Sequence, residues 1–261
     1  MMIIFMAGMY DNKKHVEDTF TESNLSEYLI QAQWAEFIEL KKAITELYRK
    51  KKSPLTVLDI GIGDARILKH LVGIKEIWNM IKHYEGIDAA QNCIDISNKV
   101  IKNLKIGKKT NVKLLDAVNL KRLNKEYDLI ISTWFTVGNF YPFDFDFKNF
   151  KHGQDMSKND KIETIFKQAY DMLKSNGEII MGSVYIDNDE TRKKQEDSYK
   201  AFGWDVITDR KDAFTATKDG WWSLRFTKKR VYDYLRFIPK NKLSFIPLDT
   251  YDYSMMVRIK K

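Results

Sequence analysis

The stretch Val57-Leu58-Asp59-Ile60-Gly61-Ile62-Gly63-Asp64-Ala65-Arg66 has the residue types and spacing best suited to holding a ligand. Glycines at 61 and 63 leave no Cβ between a ligand and the backbone. A helix beginning near Asp64 offers N–H groups that no intrahelical carbonyl takes. Such a turn holds phosphate, or a carboxylate and an adenosine group. The dinucleotide fingerprint needs a third glycine where Arg66 stands, and the phosphate-binding P-loop needs a Gly-Lys-Ser/Thr that does not follow. Two further acids close later β-like runs: Asp88, and Asp116 with Ala117 behind it. A carboxylate accepts two hydrogen bonds at once, which suits a pair of vicinal hydroxyls. Each acid also has a plainer reading, as a helix cap or turn former for Asp88 and Asp116 and as an ion-pair partner for Asp59.

The elements that position these groups alternate. Apolar residues Ile30, Trp34, Phe37, Ile44 and Tyr48 predict an amphipathic helix over 25–49, which Ser53-Pro54 stops. Short β-branched runs follow at 56–60, 84–88, 111–116, 127–132 and 177–182, with helical stretches at 90–104 and 162–173 between them. Strands alternating with helices predict a parallel sheet with right-handed crossovers, and residues 242–247 and 253–259 read as a closing antiparallel hairpin. Residues 141–160 and 187–226 break the alternation. Both follow carboxyl ends of strands, where open α/β sheets bind ligands, so both read as lids.

The succession resembles the class I S-adenosylmethionine-dependent methyltransferases. Asp59-x-Gly61-x-Gly63-x-Ala65 matches their motif I, with alanine in the last glycine's place. Tyr127–Ser132 resembles their fourth strand, and Leu173-Lys174-Ser175-Asn176-Gly177-Glu178 resembles the approach to their fifth, with Ser-Asn for Pro-Gly. Trp222–Thr227 with the helix and hairpin behind it resembles their C-terminal end, and Tyr10-Asp11 their upstream tyrosine-aspartate. The resemblance implies an α/β Rossmann-like fold: a seven-stranded, mostly parallel sheet with helices on both faces, in one domain with an N-terminal helical cap over about 10–50. It implies S-adenosyl-L-methionine as cofactor and S-adenosyl-L-homocysteine as product. Asp59, Gly61, Gly63, Asp64, Asp88, Ala89, Asp116, Ala117, Ser132 and Tyr10 would then form the cofactor site, with the acidic residue at 88 taking the ribose hydroxyls.

Methyl transfer asks mainly for alignment and desolvation, with a base where the nucleophile carries a proton. Acceptors in this family meet the end of the fourth strand, here Ser132-Thr133-Trp134-Phe135-Thr136-Val137-Gly138-Asn139-Phe140-Tyr141-Pro142. The Asn/Asp-Pro-Pro-aromatic motif of amino-directed nucleic-acid enzymes and the Pro-Cys of cytosine enzymes are missing from it. Thr136 with Gly138-Asn139-Phe140 is similar to a segment of histidine-betaine-forming methyltransferases. Aromatics beside acids suit an amine, so Trp134, Asn139, Phe140, Tyr141, Trp222 and Arg225 read as acceptor contacts. Asp144, Asp146, His152 and Tyr141 read as catalytic candidates.

The 261 residues carry a net charge of +8, with basic residues scattered along the chain rather than clustered. A small-molecule acceptor is therefore the first reading. An RNA or protein acceptor is the second, and a non-catalytic cofactor-binding protein the third. A single cysteine, Cys93, excludes a disulfide framework and points to a cytoplasmic protein with a core thiol. No metal site and no membrane association are expected, and oligomeric state is not legible.

Overall fold

The computed structural model describes Tyr10 and residues 26–261. Helix α1, Glu27–Lys51, ends where Lys52 turns left-handed (φ 55°) and returns its N–H to the Tyr48 carbonyl. Its inner face carries Phe37, Leu40, Ala43, Ile44 and Leu47, but also Gln33 and Glu36. Ile30 and Trp34, expected on that face, are exposed. The buried stripe therefore runs through two polar residues, which is costly unless they find partners.

Strands β1 (Leu55–Ile60), β2 (Ile81–Asp88), β3 (Thr110–Leu114), β4 (Tyr127–Ser132) and β5 (Leu173–Ile186) form a parallel core in the order β3-β2-β1-β4-β5. Helices α2 (Arg66–Gly73), α3 (Lys75–Asn79), α4 (Gln91–Asn103) and α5 (Asp160–Asp171) connect them. Both sheet faces are covered, so the strands are apolar on both sides. Leu58, Ile130 and Ile179 pack with Ile162 and Phe166 of α5. Their neighbours Val57, Leu129, Ile131 and Ile180 pack with Leu40 and Ile44 of α1 and Leu68 of α2. Strands β8 (Leu243–Pro247) and β9 (Ser254–Lys260) form the expected hairpin, and β9 lies antiparallel to β5. The Asp249 carboxylate holds its turn, accepting from the N–H groups of Tyr251, Tyr253 and Ser254.

Among the described residues the sheet has nine strands rather than seven. The surplus comes from residues 187–226, which contain helix α6 (Asp189–Ala201) and strands β6 (Phe214–Ala216) and β7 (Trp222–Phe226). Strand β7 is antiparallel to β6 and touches only the tip of β5, pairing Tyr185 with Arg225 and Ile186 with Phe226. Because β9 keeps the other edge of β5 at that level, β7 extends the edge that β4 leaves at Met181. The Trp222–Phe226 run thus belongs to the insertion and not to the C-terminal end of the core. The insertion closes on itself: the Asp187 N–H donates to the Phe226 carbonyl at 3.0 Å. Helix α7 (Lys228–Tyr234) then leads to the hairpin. No helix among the described residues is long and apolar enough to cross a membrane.

Candidate functional site

The turn after β1 is built from left-handed residues, Gly61 (φ 77°), Gly63 (φ 55°) and Ala65 (φ 59°). Alanine tolerates that conformation at a modest cost that glycine avoids. At Gly61 the constraint comes from the chain itself, since a Cβ would fall 2.4 Å from the Thr136 methyl. Asp88 accepts from the Gly63 N–H at 3.0 Å with one oxygen and from the Ala90 N–H at 2.9 Å with the other. It thereby ties the β2 end to the glycine turn, and each oxygen keeps a second lone pair.

Near the turn, the charges of Asp88 and Glu36 reach Asp59, and that of Arg66 reaches Asp59 and Glu36. Asp59 accepts from the Tyr84 hydroxyl with Oδ2, while its buried Oδ1 has no hydrogen-bond partner among the described residues. Burial, aided by the nearby charges of Asp88 and Glu36, lifts Asp59 to about 7 against the Tyr84 hydrogen bond and a weaker pull from Arg66. Burial likewise raises Asp88 and Glu36. Glu36, reaching in from α1, accepts from the N–H groups of Trp134 and Ser183, and its Oε2 has no partner among the described residues. The Arg66 guanidinium lies over the Trp134 ring, 4.0 Å from its centroid, and reaches the Gln33 side-chain oxygen at 2.8 and 2.9 Å once that amide is oriented to accept. Gln33 and Glu36 are therefore the partners that justify the polar stripe on α1.

Trp134 (φ 52°) and Phe135 (φ 60°) are consecutive left-handed aromatics at the carboxyl end of β4. Strain of this kind persists where its surroundings over-determine it. Here the Trp134 N–H is fixed by Glu36, the Phe135 N–H by the Ser183 carbonyl, and the Phe135 ring stacks on Tyr185 at 3.8 Å. The result sets both rings in the wall of a cavity. Its walls include Trp134, Phe135, Tyr185, Trp221 and Tyr253, with Asn139, Gln195, Ser198, Tyr199 and Ser223 as its main polar groups. Tyr10 lines it too, and the neighbours of its buried hydroxyl include Asp88 from the glycine-turn side and Tyr199 from the cavity side.

Asp64 bonds the Arg66 N–H and Lys69 and lies on the outer side of the turn. Asp116 accepts from the Val118 N–H beside buried Ala117, Ala89 is exposed, and Ser132 donates to the Ile60 carbonyl, stitching β4 to β1. Asn139 lines the cavity, whereas Phe140 and Tyr141 pack on the core beside it. The remaining acceptor and catalytic candidates lie elsewhere. Asp144 and Asp146 are exposed, and Asp146 spends its oxygens on Lys148 and Asn149. His152 faces Asp212 at 2.8 Å. Trp222 is 1% exposed and stacks on Phe214 at 3.9 Å. Arg225, also 1% exposed, holds the insertion together from within. Phe145 and Phe147 close over Trp222 and Phe150 packs on Phe145 and Phe214, so these rings form core where a pocket wall was expected, while Phe143 is exposed. The groups the sequence reading missed are Glu36, Gln195, Tyr199 and Ser223. Two polar residues inside an otherwise apolar stripe were the available signal for Glu36.

No protein-family profile and no curated protein matches the chain in sequence. Solved structures do match it. An S-adenosylmethionine-dependent methyltransferase from Clostridium acetobutylicum is 13% identical, with a TM-score of 0.58 over 96% of this chain and 98% of that one. An O-methyltransferase family protein from Burkholderia thailandensis is 10% identical, with a TM-score of 0.53 over 85% of this chain and 55% of that one. The 1,6-didemethyltoxoflavin-N1-methyltransferase of the same organism is 12% identical, with a TM-score of 0.50 over 84% and 76%. The fold is thus that of the class I S-adenosylmethionine-dependent methyltransferases. This chain carries it with an insertion between β5 and α7 that builds one wall of the cavity.

Proposed function

We propose that this chain is an S-adenosyl-L-methionine-dependent methyltransferase acting on a small molecule with an amine, amino-acid-like or hydroxyl nucleophile. One observation carries the reading: the charges of Asp88 and Glu36 bear on buried Asp59, and the buried Asp59 Oδ1 and Glu36 Oε2 lack hydrogen-bond partners among the described residues. Buried charge is stable only when paired. A ligand with a sulfonium and an ammonium supplies cations for these acids. When bound, it supplies a methyl group on positively charged sulfur, which departs as the neutral thioether of S-adenosyl-L-homocysteine. Asp88 with Ala89 takes the ribose, and Asp116 with Ala117 lies where the adenine is expected. Ser132 keeps β4 in register beneath the methyl, and Tyr10 closes the cofactor from above. The aromatic walls exclude water and align the acceptor.

The concave, largely aromatic lining with a few polar groups favours a small acceptor over RNA or protein. Calorimetry is expected to show binding of S-adenosylmethionine and none of NAD. Asp88→Ala should weaken that binding by roughly 2–4 kcal/mol through lost charge-assisted hydrogen bonds. Equal affinity in the variant, or preference for NAD, would remove the reading. A screen of amines, amino acids and phenols for release of S-adenosylhomocysteine then separates an enzyme from a protein that only binds the cofactor.

A further inference from the structure

The hydrogen bonds behind the cavity leave little freedom of direction. Arg225 Nη1 donates to Gln195 Oε1 at 2.5 Å. A guanidinium has no acceptor, so the Gln195 amide must turn its oxygen toward Arg225. Thr215 Oγ1 donates to the same oxygen at 3.1 Å. The Gln195 nitrogen then faces the other way and donates to the Tyr199 hydroxyl at 3.3 Å. Trp221 Nε1, which can only donate, reaches the same hydroxyl at 2.8 Å. With two N–H donors on its oxygen, Tyr199 keeps its own proton for a third group. Burial holds that phenol above its ordinary range, so it stays protonated. Ser223 stands beside it on the cavity wall and is able to relay the donation.

The charges behind this wall have one sign in excess. Asp187 is shared by Arg192 at 2.9 Å, Arg230 at 3.0 Å and Arg225 at 3.5 Å. On the insertion side a cation in the cavity would meet that excess and a hydroxyl that offers it only a proton, while the acids Glu36 and Asp88 lie on the opposite side, toward the glycine turn. An anion would be desolvated with no cationic side chain among the described lining residues to pair it.

We infer that the aromatic cavity binds an uncharged, planar ring compound carrying a carbonyl oxygen or ring nitrogen that accepts a hydrogen bond from the Tyr199–Ser223 pair. That this compound is the methyl acceptor rests on the methyltransferase reading of the neighbouring turn. Its binding does not. The cavity selects by an acceptor atom against its carbocyclic or cationic analogue, because a committed donor left without a partner loses its bond to water.

Three shape-matched probes test this at pH 8: isoquinoline, naphthalene and N-methylisoquinolinium. Trp134, Trp204 and Trp221 line the cavity and report binding by fluorescence. Isoquinoline is expected to bind about 10-fold more tightly than either analogue. Tyr199→Phe should erase its advantage over naphthalene while leaving naphthalene unchanged, in a variant whose melting and circular dichroism match the parent. Tightest binding of N-methylisoquinolinium would establish a cation cage instead. Equal affinities in the unaltered protein, or no binding of any probe, would overturn the inference without recourse to the variant. Calorimetry with S-adenosylhomocysteine on the same samples reads the cofactor site separately, so either reading can fail alone.

Discussion

Asp59 and Glu85 are both buried acids, and they titrate in opposite directions for reasons visible in their neighbours. Burial pushes Glu85 up, but hydrogen bonds from Lys113, Lys125 and Tyr127 overcome that and bring it down to about 2. It therefore contributes stability above the ordinary carboxylate range, lost as pH falls toward 2. Asp59 has no cation bonded to it and stands at about 7. A folded value above the unfolded one means that the native state holds its proton longer, so stability declines as pH rises from about 4 to 7. Asp59→Asn should abolish that decline, raising stability at pH 8 by about 1–3 kcal/mol while weakening the cofactor. In the unaltered protein, cofactor affinity should climb between pH 6 and 8, because binding a cation requires the ionised acid. Denaturant titrations and calorimetry across that range check both, and identical pH profiles in parent and variant would contradict the assignment. The acids of the glycine turn were legible because their spacing follows strand ends. Glu36 left only the trace of a polar residue in an apolar stripe, which does not tell which strand's backbone it meets.

Strand β5 is the element on which the site turns. Its lower half pairs with β4 and β9, its upper half with β7 and β9, and the irregularity at Gly182-Ser183 separates them. A Cβ on Gly182 would lie 2.1 Å from Glu36 Oε1 and 2.7 Å from the Thr133 Cα. Gly182→Ala should therefore displace Glu36, release the Trp134 N–H and destabilise the fold by about 2–4 kcal/mol in urea titration. Gly203→Ala is the contrasting case: its φ is positive (75°), unlike that of Gly182, but no atom among the described residues would lie within 4 Å of the new Cβ, so only about 1 kcal/mol is at stake. The parallel strands could be read from sequence because burial on both faces leaves unbroken apolar runs. Helix α6 could not, because it buries Thr191, Gln195 and Tyr199 and shows no apolar period. Its legible traces were the Asn188 cap, with its oxygen on the Thr191 N–H, and the Glu190–Lys194 and Glu196–Lys200 pairs.

At the scale of the molecule, the two irregular segments, which share the rings around Trp222, are also joined at Asp212. Asp212, fully buried, accepts from the Gly153 N–H at 2.6 Å and faces His152 at 2.8 Å, while its carbonyl receives Arg225. Residues 141–160 and the insertion are thus coupled away from the cofactor turn. Asp212→Ala should speed amide hydrogen exchange in both 150–154 and 209–215 and leave β1, β4 and the glycine turn protected. Exchange rising throughout the sheet would show that the coupling extends to the core. Aromatic composition alone placed the acceptor wall in the first segment. Rings that pack on one another and rings that line a void have the same sequence signature until the fold chooses between them.

The hydrogen bond from Asp187 to Phe226 has a consequence for how such a molecule diversifies. The chain departs from the sheet and returns to it at adjoining points, so what lies between is a self-closed module grafted onto β5. A different module spliced at the same two residues would receive the cofactor half intact and bring its own chemistry for choosing a substrate. Descent with exchange of that one module would give scaffolds alike in backbone and unlike in what they modify.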